Sequence, residues 1–344
     1  MRVYLNHAGT SWPKPEPVRR AVGAVLEAST ADWPERFATD HAAVAEWLGA
    51  APSRLLLTPG CTAALAAAIA ELPWSTGDRV ICGSFEHKAL ARPLAELAHR
   101  GVHVVSIPST SAAGFDLAAL ERELKRGARL VATAWATNVT GELSPIAEII
   151  KLAHAHGAKI LVDAAQAAGW LPIDVAALGA DMLAFAGHKG PQAPWGVGGL
   201  YVAPSLPMPG YCDTGSVDRA ALAGLVAGVA WLRDRPARLA NARAGVARLR
   251  AVLPTTIRVL GPADEEHRVP TLAFVHPTRA PVEIANALRD QGVVAGAGRF
   301  CAADAHVQLG TTAHGVVRLS VGPGTTTEEL AHAERALHDV IRGA

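Results

Sequence analysis

Short apolar runs, rich in β-branched residues, alternate with helical stretches between residues 54 and 203. The helical stretches include CTAALAAAIAEL, ALARPLAELAHR and LAALERELK. The strand-like runs are RLLLTPG, RVICGS, VHVVSIP, RLVATAW, KILVDAA, ADMLAFAG and GGLYVAP. This alternation is typical of α/β proteins and predicts a mainly parallel seven-stranded sheet with helices on both faces.

Beyond Pro209 the order of the elements changes. Helices are expected at about 219–234, 239–252, 281–291 and 327–341, with the strand-like runs TIRVLGP, VPTLAFVHP and VVRLSVGP among them. Mixed strands and helices in this order predict a smaller α+β domain, joined by residues from the N-terminus. We therefore expect the large domain within residues 1–215, with its main part from about residue 15, and a small domain of residues 216–344.

Composition points to small-molecule chemistry. The 344 residues are 50% hydrophobic, enough for a large core and about two domains. The 32 basic and 31 acidic residues give a net charge of +1, which argues against a nucleic-acid or anionic-membrane partner.

A cytoplasmic location is expected from three further features. The start, MRVYLNHAGTSWPKPEP, lacks the pattern of a signal peptide, and no apolar run reaches the length of about 18 residues that a membrane span requires. The four cysteines are scattered without a C-x-x-C pair, which argues against a disulfide framework and against a metal site.

Polar residues at the carboxyl ends of parallel strands mark the place where such sheets bind ligands. Strand KILVD ends in Asp163, and Gln166 follows three residues later. Asp163 could simply cap a helix. It could equally hold the protonated pyridine nitrogen of pyridoxal phosphate (PLP), with Gln166 donating to the phenolic oxygen of the ring.

Strand ADMLAFAG runs directly into His188 and Lys189, and a glycine-rich loop follows. Most lysines are solvated at the surface. After an apolar strand, however, a buried amine loses its proton more easily and can attack an aldehyde. Lys189 therefore has the properties of a lysine that forms a Schiff base.

Three other positions complete the pattern. Cys61 and Thr62 open a helix after a strand, which is either a site for a phosphate or a capped helix only. His87 follows strand RVICGSF and could stack on a flat ring, or could be a solvated loop histidine. Asn138 follows strand RLVATAWAT.

Together these residues resemble the class V aminotransferase group of fold type I PLP enzymes, and within it the cysteine desulfurases and selenocysteine lyases. The resemblance runs from YLNHAGTSWPKP through the motifs E-H-K, N-V-T-G, D-A-A-Q and G-H-K-G to the last helix. It implies the fold of a fold type I PLP-dependent transferase, with PLP as the cofactor.

The resemblance also implies a role for each residue. Lys189 would hold PLP covalently and shuttle the α-proton of the substrate, and His87 would stack on the cofactor ring. The remaining cofactor contacts would be made by Cys61, Thr62, Asn138, Asp163, Gln166 and His188. Gly215 and Ser216 match a stretch that reaches the phosphate across a dimer interface in relatives, which implies a homodimer with shared active sites.

A C-terminal match, GRFCAADAH followed by GVVRLSVGP, extends the resemblance to the reaction. It implies that Cys301 takes sulfur from L-cysteine as a persulfide, that L-alanine is released, and that a protein accepts the sulfur. Arg318, with Asn138, would bind the substrate. Without the resemblance, Cys301 would be a small apolar filler, and Arg318 would be a buried cation in need of a carboxylate.

Several departures leave other reactions open. Ala186 stands where many relatives have a hydroxyl residue, the stretch before Gly215 is short, and Gly296 replaces a basic residue. A PLP-dependent C–S lyase, aminotransferase or epimerase acting on a modified amino acid is the main alternative, with Cys301 a bystander. A silent scaffold for a sulfur carrier is the other. For persulfide transfer, a flexible loop over 296–310 is expected to carry Cys301.

Overall fold

The computed structural model describes residues 1–109, 115–210 and 217–343. The helices are α1 (Glu16–Glu27), α2 (Trp33–Trp47), α3 (Cys61–Ala70), α4 (Lys88–His99), α5 (Leu117–Leu124), α6 (Ile146–Ala155), α7 (Val175–Leu178), α8 (Arg219–Trp231), α9 (Arg235–Val252), α10 (Pro281–Asp290), α11 (Ala303–Gln308) and α12 (Thr327–Arg342). The strands are β1 (Val3–Tyr4), β2 (Leu55–Thr58), β3 (Arg79–Gly83), β4 (His103–Ile107), β5 (Leu130–Ala134), β6 (Lys159–Asp163), β7 (Met182–Ala186), β8 (Gly198–Val202), β9 (Arg258–Leu260), β10 (Thr271–Val275), β11 (Val293–Val294), β12 (Gly296–Gly298) and β13 (Val316–Ser320). Short 3₁₀ turns occupy Thr30–Asp32 and Pro52–Arg54.

The large sheet has seven strands in the order β2-β8-β7-β6-β5-β3-β4. Strands β3 to β7 are mutually parallel, whereas β8 runs antiparallel to both β7 and β2. Successive residues of β6 enter different cores: Ile160 and Val162 pack on one face, and Leu161 packs on the other with α3. Burial on both faces accounts for the continuous apolar runs. The predicted α/β class and mainly parallel seven-stranded sheet are confirmed.

A second, antiparallel sheet of order β12-β13-β10-β9 packs against α9, α10 and α12. β1 pairs in parallel with β11, so the N-terminus contributes Val3 and Leu5 to the core of this part, both 0% exposed. The predicted domain boundary at residue 215 stays a prediction. That residue lies outside the described ranges, and Leu222 of α8 packs in a core of the large sheet.

Two expectations about the C-terminal half were wrong. α8 ends at Trp231, and α9 already begins at Arg235, because Pro236 fits the first turn of a helix. The stretch 296–310 is not simply a loop, since it contains β12 and α11.

Residues 5–14 connect the two sheets. Ser320 of β13 donates its N–H to the carbonyl of Leu5, and its hydroxyl oxygen accepts the N–H of Ala8 at 2.8 Å. Ser11 donates its N–H to the carbonyl of His188, which follows β7 in the large sheet. The segment therefore positions the ends of both sheets beside one another. None of the helices in the described part of the chain has the length and apolarity needed to cross a membrane.

Candidate active site

A cavity of about 470 Å³ lies at the carboxyl ends of β5, β6 and β7 and at the start of α3. Most of the site residues predicted from the sequence line it, namely Cys61, Thr62, His87, Asn138, Asp163, Gln166, His188 and Lys189. Gly215 and Ser216 lie outside the described residues.

Lys189 follows β7 in a tightly packed turn and directs its exposed surface into the cavity. A Cβ atom at Gly169 would lie 2.2 Å from the carbonyl carbon of Gly190, so the turn fits only because position 169 has no side chain. Burial lowers the pKa of the Lys189 amine, and the nearby Asp163 carboxylate opposes this shift. An amine held in this way is easier to deprotonate and becomes a better nucleophile.

Asp163 ends β6 and is 5% exposed. Its Oδ1 accepts the N–H of Ala165 at 2.8 Å and the thiol of Cys61 at 3.3 Å. Burial raises the pKa of the Cys61 thiol, with the Asp163 charge adding to the effect, so this group stays a hydrogen-bond donor. Because both contacts fall on Oδ1, Oδ2 remains available to a positively charged nitrogen in the cavity.

The two amide side chains of the site are both tied to other segments. Gln166 donates from Nε2 to the carbonyl of Ala8 at 2.9 Å, which leaves its second amide hydrogen for a ligand. Asn138 donates from Nδ2 to the carbonyl of Phe300 at 2.6 Å. Its buried Oδ1 has no hydrogen-bond partner among the described residues. Such an orphaned acceptor is costly unless a ligand pairs with it.

His87 caps α4, because its Nδ1 accepts the N–H of Ala89 at 3.1 Å. Burial, helped by the charge of Lys189, lowers the pKa of His87 to about 4. The ring is therefore neutral at physiological pH and held in one orientation. A neutral, fixed imidazole on the cavity wall is suited to stacking on a flat ligand.

The start of α3 and His188 form the part of the site that suits an anion. The first N–H groups of a helix have no partner within it, and here they belong to Cys61 and Thr62. His188 shares a hydrogen bond of 3.1 Å between its Nδ1 and the hydroxyl of Thr10. Ala186 also lines the cavity. It offers no hydroxyl to an anion, as expected from the alanine that stands where many relatives have a hydroxyl residue.

Arg318 lies in β13 and is 3% exposed. Its Nη1 donates to the carbonyl of Asn138 at 2.6 Å and its Nη2 to Oδ1 of Asn6 at 3.0 Å, while Nε has no partner among the described residues. Burial lowers the pKa of Arg318 to about 10, which leaves it a cation at physiological pH. Its hydrogen-bond acceptors are neutral oxygens, so within the described ranges the buried charge lacks the carboxylate that the sequence predicts for it.

Cys301 is an exposed free thiol near this group. Its carbonyl accepts the N–H of Lys88 at 2.7 Å, which places the Cys301 loop beside His87 at the start of α4. The loop therefore contacts Asn138, which lines the cavity, and Lys88 beside His87, whereas Cys301 itself does not line the cavity.

Some contacts could not be found by sequence reasoning. Asn6 and Ser11 lie in the N-terminal stretch YLNHAGTSWPKP, whose sequence predicts no role for either residue, and no role was predicted for Phe300. Asn6 meets Arg318 over a separation of 312 residues. A local pattern carries no signal for such a contact.

Comparison with known proteins adds the family. The model of the family "Aminotransferase class-V" matches residues 4–209 and 207–332. A protein of Vibrio cholerae named "probable cysteine desulfurase" is 29% identical over 384 residues, which covers 98% of this chain and 93% of that protein.

Solved structures give the same result. An apo cysteine desulfurase from Thermococcus onnurineus NA1 is 25% identical with a TM-score of 0.93, covering 100% of this chain and 95% of that one. A cysteine desulfurase from Escherichia coli, in an S-sulfonic acid form, is 25% identical with a TM-score of 0.88 and covers 99% and 95%.

Proposed function

Since the chain belongs to the class-V aminotransferase family, we propose that it is a PLP-dependent cysteine desulfurase. It would convert L-cysteine into L-alanine and transfer the sulfur to Cys301 as a persulfide. The observation that carries this proposal is a lysine of lowered pKa close to a buried arginine that has no carboxylate partner in the described part of the chain. Similar proteins named cysteine desulfurase support it.

The residues of the cavity fit PLP. Its volume of about 470 Å³ lies within the ordinary range for small-ligand sites. Lys189 offers an amine for the aldehyde, Oδ2 of Asp163 offers a carboxylate oxygen for the ring nitrogen, and Oδ1 of Asn138 needs a donor. When bound, PLP supplies an electron sink that stabilises negative charge at the substrate Cα.

Different residues would hold the two ends of the cofactor. His87 would pack on the ring, and Gln166 would donate its free amide hydrogen to the phenolic oxygen. Thr62, the N–H groups at the start of α3 and His188 would hold the phosphate. Gly215 and Ser216 of a second copy would complete the phosphate site in a homodimer with shared active sites.

Lys189 would also move the substrate proton. Its lowered pKa favours the neutral amine, which can accept a proton from Cα and return one later. Arg318 would meet the substrate carboxylate with its unpaired Nε–H, because a carboxylate is the partner that its buried charge lacks. Asn138, whose carbonyl already holds Arg318, would border the substrate.

Cys301 would receive the sulfur. The Cys301 thiolate attacks the substrate sulfur, an S–S bond forms and the Cβ–S bond breaks. The carbon fragment takes back the proton lost from Cα, takes up at Cβ the proton that the Cys301 thiol gave up, and leaves as L-alanine. L-cysteine and one thiol thus give L-alanine and one persulfide without an oxidant. A sulfur-acceptor protein in the cytoplasm would then take the terminal sulfur.

The proposal is tested by supplying the holoenzyme with L-cysteine and a thiol reductant and quantifying the products. We expect alanine and sulfide in equal amounts, and we expect Cys301→Ser to lose at least about 100-fold in alanine formation while its cofactor absorbance persists. Cys82→Ala, which removes a buried thiol from β3, is the matched control.

Two results would contradict persulfide transfer. Pyruvate and ammonia in place of alanine would assign the protein to the C–S lyases. Undiminished alanine formation by Cys301→Ser would make that cysteine a bystander. No turnover of any amino acid would favour a scaffold.

A further inference from the structure

The face of the Arg318 guanidinium is covered by the ring of Phe300. The guanidinium carbon lies 3.8 Å from the ring centroid, well within the distance of about 6 Å at which cations and aromatic rings attract. Arg318 is 3% exposed, so little water competes with this contact. A desolvated contact of this kind is stronger than one at the surface.

The ring restrains Arg318 without using any of its N–H groups. Nη1 is held by Asn138 and Nη2 by Asn6, while Nε–H has no partner among the described residues. Stacking on the face of the planar group adds a third restraint and fixes its tilt. Nε–H stays free to donate to a carboxylate oxygen, which forms a charge-assisted hydrogen bond with a guanidinium.

Gly296 makes room for the ring. It pairs with Arg318 across β12 and β13. A Cβ atom at position 296 would lie 2.9 Å from Oδ1 of Asn6 and 3.0 and 3.1 Å from Cε1 and Cζ of Phe300, closer than ordinary contacts allow. Phe300 therefore fills the space where a side chain at position 296 would stand.

The backbone that carries the ring is strained and held from several sides. Phe300 and Cys301 have φ values of 45° and 60°, in the left-handed region that residues other than glycine rarely adopt. The Phe300 carbonyl accepts from Asn138, and the Cys301 carbonyl accepts from the N–H of Lys88. Such strain persists only where the surroundings hold it. The same loop therefore places the ring on Arg318 and sets the position of Cys301.

We propose that Phe300 is a positioning residue that makes the site selective for substrates with a carboxylate, by holding the edge of Arg318 toward the substrate. The inference rests on the proposed function, in which Arg318 binds the substrate carboxylate. Because Phe300 and Cys301 are neighbours in one loop, the residue that orients Arg318 is also next to the cysteine that receives the sulfur.

The test compares L-alanine with its methyl ester, which lacks the negative charge and carries one additional methyl group. The holoenzyme is titrated with L-alanine and with L-alanine methyl ester, and binding is followed by the visible absorbance of the cofactor. In Phe300→Leu, we expect the Kd for L-alanine to rise about fivefold to thirtyfold and the Kd for the ester to change by less than about twofold. Phe300→Tyr keeps the ring and should retain the preference of the wild type.

Two further variants control the experiment. Gly296→Ala should weaken L-alanine binding in the same direction, because its Cβ displaces both the ring and Oδ1 of Asn6, and both of these hold Arg318. Val307→Ala alters an exposed residue of the following helix α11, 66% exposed, and should leave both Kd values unchanged.

Three outcomes would overturn the inference. Equal weakening of both ligands in Phe300→Leu would make the ring a general structural element, and tighter binding of L-alanine would make it an obstruction. A wild type that binds the ester as well as L-alanine would remove the role of Arg318 itself. By contrast, a wild type that prefers L-alanine but makes no alanine from L-cysteine would end the proposed function and leave this inference standing.

Discussion

Glu86 is a carboxylate buried beside the candidate site. Its Oε1 accepts from the hydroxyl of Thr133 at 2.8 Å and from the N–H of Gly83 at 3.2 Å, which pins the turn that carries His87. Burial nevertheless dominates and raises the pKa of Glu86 from 4.5 to about 7, while these hydrogen bonds oppose the shift. The folded protein therefore binds this proton more tightly than the unfolded chain does.

This shift predicts a pH-dependent stability. Because the folded-state pKa is the higher one, the contribution of Glu86 is fully present below about pH 4.5 and is lost as the pH rises to about 7, on the order of 3 kcal/mol. Glu86→Gln cannot titrate and should lack this decline. Urea unfolding of both proteins at pH 5 and pH 8 measures it.

Comparing the wild type with Glu86→Gln cancels the contribution of the histidines to the free energy of unfolding, which changes with pH in the opposite direction. The pKa of His7, His87 and His188 is lowered to about 4 by burial, so their contribution to stability grows between about pH 4 and 6.5. Both proteins share this trend. If the two free energies of unfolding changed in parallel with pH, the raised pKa of Glu86 would be wrong.

His87 should have a structural role separable from ligand binding. Its Nδ1 caps α4, and asparagine can cap in the same place whereas alanine cannot. His87→Ala should therefore be about 1 kcal/mol less stable than His87→Asn in the cofactor-free protein. Denaturant unfolding of the two variants measures this, and equal stabilities would show that the cap contributes nothing.

At the scale of single residues, the sequence predicted the polar groups that follow strands. Asp163, His87 and Lys189 could be found because the carboxyl ends of parallel strands meet at one edge of a sheet. Their roles remain predictions, although the structure brings them to one cavity. Asn6 and Phe300 were not predicted, because each reaches Arg318 through a fold that local sequence does not encode.

Among the elements, the turn after β6 packs closely against the turn that carries Lys189. Gly169 has a φ of 86°, and a Cβ atom there would lie 2.2 Å from Gly190. Gly157 has a similar φ of 75°, but a Cβ atom there would meet nothing within 4 Å. Alanine substitutions at these two glycines therefore distinguish the cost of the left-handed backbone conformation from the cost of a steric clash.

Gly169→Ala should lower the free energy of unfolding by roughly 3 kcal/mol or more and weaken cofactor binding, because the turn with Lys189 must shift. Gly157→Ala should cost only about 1 kcal/mol, from the left-handed conformation alone. Denaturant unfolding and cofactor titration measure both. Equal losses would mean that the contact with Gly190 has no effect.

Element types were easier to predict than their ends. Inner strands of the large sheet such as β5 and β7 are buried on both faces, so their apolar runs stand out from the polar turns around them. The predicted ends of α8 and α9 differ from the observed ones because Pro236 lies in the first turn of α9, where proline is tolerated, so this helix begins at Arg235. The short β12 and α11 were not predicted, because a few residues rich in glycine and alanine carry no periodic pattern.

At the scale of the whole molecule, the N-terminal segment holds the two sheets together. Leu5 is 0% exposed in the core of the smaller sheet, and the residues after it bond to the turn before Lys189. Leu5→Ala should cost about 2 to 5 kcal/mol of stability. Leu26→Ala, at a residue that is 78% exposed, should cost less than about 0.5 kcal/mol. Unfolding midpoints compare them, and similar midpoints would contradict the role of the segment.

The fold class is confirmed, and so is membership of the class V family. The alternation of strands and helices was sufficient to predict the fold class, and the order of the motifs indicated the family. The domain boundary and the homodimer stay predictions. A single chain cannot display the surface that a second copy would contact, and Gly215 and Ser216 lie outside the described residues.

The most direct test of the account is the site at which the cofactor attaches. We would reduce the holoenzyme with borohydride and locate the modified lysine by peptide mass spectrometry. Lys14 is the informative rival, because burial lowers its pKa to about 8 and its amine donates to the carbonyl of His188. The account predicts a pyridoxyl group on Lys189 and its absence in Lys189→Ala. Modification of Lys14 or another lysine, or of none, would contradict it.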